Sequence, residues 1–173
     1  GAFVILNIHH EGWHDTYYDN LDPAAVKLKA VWNQIAEYFK EYDEHLIFEG
    51  MNEPRKCGTP VEWTGGDQEG WDVVNALNKV FVETVRGTGG NNEIRSLMIP
   101  GYAANCTVGI RHLDIPEDDN HIIASVHAYE PTDFALLVEG RGLWNRDTAV
   151  IDRLMVDLEE TESSTSGLPE RKF

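Results

Sequence analysis

Short apolar runs rich in β-branched and aromatic residues alternate along this chain with longer stretches of helical periodicity, and that alternation leaves few folds open. Phe3 to Ile8 is nearly continuous in such residues, the pattern of a parallel strand covered on both faces. A long helical pattern opens at Pro23 and continues through Tyr38 and Phe39, with Asp22 as N-cap and Pro23 in the first helical position. Leu46 to Met51 reads as a second strand, and Trp71 to Val85 as a second amphipathic helix ended by Gly87 and the Gly89-Gly90 pair. Leu97 to Gly101 reads as a short third strand, weakened by Pro100. Ile122 to Val126 is a fourth strand, and Thr148 to Leu158 a final helix. Strands alternating with helices form right-handed βαβ units around a parallel sheet, an α/β fold.

The length sets how much of such a fold is present. About four βα units are roughly half of a (β/α)8 barrel, which typically takes about 250 residues. The expected fold is therefore a portion of that barrel over residues 1–161. Residues 162–173 are a polar, punctuated tail that reads as a frayed end or linker. Apolar content of 42% and charged content of 25% are ordinary for a globular domain. The net charge of −16, from 14 basic and 30 acidic residues, argues against nucleic acid or an anionic membrane as partner. No apolar run approaches the roughly 18 residues of a membrane span. Gly1-Ala2-Phe3-Val4 has neither the basic region nor the cleavage site of a signal peptide. Cys57 and Cys106 are too few for a disulfide framework and lack metal-ligand spacing.

Side-chain alternation then places the polar residues. Ile5, Asn7 and His9 share one side of the first strand, Ile47, Glu49, Met51 and Glu53 one side of the second, and Ile123, Ser125, His127 and Tyr129 one side of the fourth. The opposite faces are apolar and suit helices. The polar faces all sharpen towards the C-terminal ends of the strands, where parallel α/β folds carry their sites. His9, Asn52, Glu53, His127 and Tyr129 thus belong to one rim. A carboxylate at such a strand end needs a partner or a raised pKa, and the latter suits a general acid.

At these residues the sequence resembles glycoside hydrolase family 5, the cellulase family. The resemblance rests on Ile5-Leu6-Asn7-Ile8-His9-His10-Glu11, Met51-Asn52-Glu53-Pro54 and His127-Ala128-Tyr129, which would be the ends of barrel strands three, four and six. Gly58-Thr59-Pro60-Val61-Glu62-Trp63 and the following Gly-Gly-Asp resemble the subfamily 4 endoglucanases and xyloglucanases. The resemblance implies a retaining mechanism on β-1,4-glucan, without a cofactor and in an extracellular setting. Glu53 would be the general acid/base, Asn52 would bind the sugar 2-hydroxyl, His9 would line the subsite where the bond breaks, and His127 and Tyr129 would position the nucleophile and contact sugar. His10 alternates to the helix side. The family's nucleophile is a Glu ending the seventh strand. Glu170 follows Gly167-Leu168-Pro169 without the apolar strand that should precede it, so no nucleophile is assigned. Glu49 and Glu11 are the other nearby carboxylates. A partial barrel leaves sheet edges open, so isolated chains are expected to self-associate.

Two other readings compete. His10-Glu11-Gly12-Trp13-His14 matches the zinc-protease spacing H-E-x-x-H. That spacing needs a helix, and here it follows a β run and contains Gly12, so no metal is expected. The loop aromatics, Trp63 above all, could instead serve a chain that binds glucan without cleaving it. Trp32 and Trp71 read as helix residues facing the core.

Overall fold

The computed structural model describes residues 1–9, 12–140 and Met155. Contacts divide the chain into two compact units, Gly1–Val126 and His127–Phe173. Strand β1 (Val4–Asn7), helix α1 (Tyr18–Phe39), strand β2 (Leu46–Glu49), helix α2 (Gln68–Gly87), strand β3 (Leu97–Asn105) and strand β4 (Ile122–His127) follow in order, and β4 closes on the unit boundary. The four strands form one parallel sheet in the order β1-β2-β3-β4. Val4 aligns with Leu46 and Asn7 with Glu49 across β1 and β2, and Phe48 aligns with Leu97 across β2 and β3. The second unit contributes one described helical turn, α3 (Thr132–Ala135). The expected helix over 148–158 and the polar tail lie outside the described residues, apart from Met155, which is helical.

The two long helices cover one face of the sheet. Trp32, Leu28, Phe48, Leu77, Phe81, Leu97 and Ile99 are all fully buried there. The Trp32 ring lies 5.3 Å from Phe48 and 4.7 Å from Phe81, centroid to centroid. Gly50, just past β2, has to be glycine: a Cβ there would come within 2.7 Å of the Phe81 ring. In a parallel ladder the Gly50 carbonyl, whose N–H already donates to Met98 O at 3.0 Å, would accept from position 100. Pro100 has no N–H to offer. The Trp32 indole N–H donates to that carbonyl instead, at 2.9 Å.

Four details depart from the sequence reading. Helix α1 begins at Tyr18, so Pro23 lies inside it. Tertiary bonds outweigh the proline: Tyr18 donates from its N–H to Glu69 and from its hydroxyl to Asp72, while the Asn20 amide bridges the carbonyls of Trp13 and Asp15. Strand β3 runs on to Asn105 rather than ending at Gly101, since the carbonyl orphaned by Pro100 is supplied from α1. It then bends through Ala103 and Ala104, whose φ values of 53° and 48° are left-handed. Strand β1, expected to be covered on both faces, leaves Val4 and Ile5 more than half exposed, as is Phe3 just before it. The β3–β4 connection holds a single 3-10 turn, Gly109–His112, in place of an α-helix.

At the opposite end of the strands, Arg95 closes the core. Only 2% exposed, its guanidinium donates to the carbonyls of Asp43 and Leu46 through Nη1, to those of Phe39 and Tyr42 through Nη2, and to Asn92 Oδ1 through Nε. It thereby satisfies carbonyls left open at the C-terminus of α1. Among the described residues, no helix is long and apolar enough to cross a membrane.

Candidate active site

The face of the sheet away from α1 and α2 carries the polar residues. Asn7 Nδ2 donates to Glu49 Oε2 at 2.9 Å, and the Ser125 hydroxyl donates to Glu49 Oε1. Ser125 sits on β4 and Glu49 on β2, so their contact reaches over β3. Neighbouring strands stand about 4.8 Å apart, and a flat sheet would hold these side chains too far apart to bond. The sheet is therefore concave on this face, in the manner of a barrel interior where alternate strands share a layer. The three residues that alternation assigned to the inner face do meet there. Both oxygens of Glu49 are engaged as acceptors, which makes it a brace of the sheet.

Beyond that layer the chain turns out of β2 into the candidate residues. The Asn52 N–H donates to Ile8 O at 3.0 Å, which sets Asn52 against the end of β1 beside His9. Pro54 O accepts from Ala103 N at 2.9 Å, so the left-handed bend of β3 holds the other side of the same segment. Asn52 and Glu53 are buried between these two anchors, at 4% and 7% exposure. His9 is exposed, with Nδ1 at 3.5 Å from Asn7 Nδ2. His9, Asn52 and Glu53 are thus brought to adjoining strand ends. His127 and Tyr129 belong to the second unit, where their rings stand edge to face at 6.3 Å. His10 and Glu11 lie outside the described residues; Gly12–His14 is one 3-10 turn.

The loop after Glu53 is tied down by charge. Lys56, 4% exposed, donates to both Asp67 oxygens at 2.8 Å and to Glu69 Oε2 at 2.6 Å, and its ammonium lies 5.1 Å from the Tyr17 ring centroid. Asp67 also caps α2 by accepting from Gly70 N. Burial pushes the Asp67 carboxyl up, but the Lys56 ammonium and the Gly70 N–H more than reverse this and hold it below its ordinary value. Glu69 is lowered chiefly by Lys56 and then by the Tyr18 N–H. Burial draws Lys56 down, and its two carboxylates raise it above the usual lysine range.

Arg55 is the residue that sequence reading missed. Its Nη1 donates to Glu53 O at 2.9 Å and lies 3.7 Å from Glu53 Oε2. Its Nε donates to Glu62 Oε1 at 3.0 Å, and its Cζ sits 4.1 Å from the Trp63 ring centroid. Trp63 remains 57% exposed. The available signal was the two bases Arg55-Lys56 just past Glu53-Pro54, with Glu62-Trp63 closing the loop. Trp32 is core as expected, and Trp71 is half-buried against Val74 and Tyr102.

Comparison with known proteins decides the family. The family model for cellulase, glycosyl hydrolase family 5, matches residues 1–165. The chain belongs to glycosyl hydrolase family 5. Endoglucanase 1 of Ruminococcus albus is 46% identical over 170 residues, 98% of this chain and 41% of that protein. Among solved structures, a GH5-4 broad-specificity endoglucanase from Clostridium longisporum has a TM-score of 0.86 at 44% identity, covering 95% of this chain and 49% of its own. XEG5A, a GH5 xyloglucan-specific endo-β-1,4-glucanase from a metagenomic library solved with cellotriose, has a TM-score of 0.87 at 38% identity, covering 96% and 50%. This family 5 chain thus spans about half the length of the solved structures it matches and less than half of the curated relatives, and its α/β sheet is a portion of the (β/α)8 barrel.

Proposed function

We propose that this family 5 chain carries the acid/base half of a retaining β-1,4-glucan endohydrolase, with Glu53 as general acid/base. The observation that carries the reading is the Asn52-Glu53 pair, buried between backbone anchors at the C-terminal end of β2. In this reading Glu53 protonates the glycosidic oxygen as the bond breaks and later takes a proton from the water that releases the sugar. Asn52 holds the 2-hydroxyl of the sugar, His9 lines the cleavage subsite, and His127 and Tyr129 contact sugar and orient the nucleophile. Trp63 offers an aromatic face to a glucan ring. The nucleophile comes from outside the described residues: a retaining pair stands roughly 5–5.5 Å apart, and Glu49 already spends both oxygens on Asn7 and Ser125. A polymeric glucan substrate puts the work outside the cell.

The test is reducing-sugar release from carboxymethyl cellulose and xyloglucan by the protein carrying this chain, beside its Glu53→Gln variant. Activity is expected to fall by roughly 10²–10⁴-fold in the variant. Equal rates would remove Glu53 from the mechanism, and binding of either glucan without release from the unaltered protein would favour a glucan-binding role.

A further inference from the structure

We propose that Arg55 is a positioning residue that turns Trp63 into a fixed sugar-stacking platform and holds it in register with Glu53. The inference rests on the glucan-hydrolase reading above and adds a residue that this reading does not use. An exposed tryptophan on a glycine-bearing loop would ordinarily sample many rotamers, and freezing it on binding costs affinity. Here one face of the indole is already covered by the flat Arg55 guanidinium at 4.1 Å, a stacking geometry that arginine favours and lysine cannot reproduce. Trp63 as a whole is still 57% exposed, so the cover from Arg55 leaves indole surface open to a ligand. A hexose presents a face of C–H groups, and an aromatic plane of this kind accepts it.

What fixes Arg55 is a closed circuit. Glu62 Oε1 accepts from Arg55 Nε at 3.0 Å, and Glu62 Oε2 accepts from Gly58 N at 2.8 Å, which closes the loop over residues 58–62. The Gly58 N–H, and after it Arg55, hold the Glu62 carboxyl below its usual range, so it stays an acceptor. The other end of the guanidinium is pinned to the Glu53 main-chain oxygen at 2.9 Å and reaches within 3.7 Å of its carboxylate. One side chain, 16% exposed, therefore touches the platform, the loop and the proposed acid. A glucan ring lying on Trp63 is thereby set at a fixed offset from the oxygen that Glu53 would protonate. Such an offset is what converts binding into correct orientation.

Cellotetraose binding to the protein carrying this chain, in a non-hydrolysing Glu53→Gln background, reads this directly through tryptophan difference absorbance. Trp63→Ala is expected to abolish the tryptophan signal. Arg55→Lys keeps the charge and Arg55→Met keeps the bulk, and each should weaken cellotetraose binding by roughly 3- to 10-fold with an altered tryptophan spectrum. Melting temperatures measured alongside separate this from unfolding, and full rescue of binding by Arg55→Lys would refute the stacking role. Unchanged affinity and spectrum in Arg55→Met would overturn the proposal, as would an absence of cellotetraose binding in the Glu53→Gln parent. The hydrolase reading is decided separately, by sugar release from the protein with Glu53 intact.

Discussion

A buried carbonyl without a partner costs about 1–3 kcal/mol, and Gly50 would present one beside Pro100 were it not for Trp32. The indole N–H at 2.9 Å fills the place of the missing proline donor while its ring fills the core against Phe48 and Phe81. Trp32→Phe retains an aromatic ring and loses the bond. It is expected to lower unfolding free energy by about 1–3 kcal/mol in urea titrations. Arg95 is a harsher case, because its fork serves four carbonyls and the Asn92 amide oxygen. Lysine offers three donors from a single point. Arg95→Lys should therefore recover only part of what Arg95→Met loses, which is about 3 kcal/mol or more, again read by urea unfolding.

Elements meet at the N-terminal ends of the helices, where Lys56 binds Asp67 and Glu69 of the α2 start and Tyr17 packs beside it. Both carboxyls are held below their ordinary values, so the folded state favours their charged forms. That contribution is complete above the ordinary carboxylate range and drains away as pH falls below about 4 towards the lowered values. The raised Lys56 works in the other direction and surrenders its share only above about pH 10.4. Lys56→Met should flatten the loss of stability between about pH 4 and pH 2, measured as melting temperature against pH. These contacts also explain what could be read from the sequence. Alternation along β1, β2 and β4 is a period-two pattern local to each strand, and it put Asn7, Glu49 and Ser125 on the face where they join. The early start of α1 was illegible because Glu69 and Asp72, fifty residues away, hold Tyr18. The length of β3 was hidden for a like reason, since Pro100 argues against a strand until a distant indole repairs the ladder. Arg55 had no periodicity to betray it, only a loop closure that Glu62 supplies.

For the 173-residue chain taken by itself the decisive surface is β1. Phe3, Val4 and Ile5 stand exposed by 64%, 57% and 53% on a sheet edge, and unpaired apolar edges recruit other strands. The 173-residue chain by itself is expected to associate at micromolar concentration, and light scattering that returns a lone soluble monomer would contradict this. Association at that edge would leave the concave face untouched, so the brace around Glu49 and the anchors of Glu53 are expected to persist in each copy. Trp32 makes that persistence measurable. Its indole hydrogen is sealed between helix and sheet, and solvent can replace it only when α1 lifts away from the strand leading to Glu53. Placed in heavy water, this single hydrogen should outlast that of Trp63 by orders of magnitude, and its lifetime times the opening of the scaffold on which the Asn52-Glu53 segment rests.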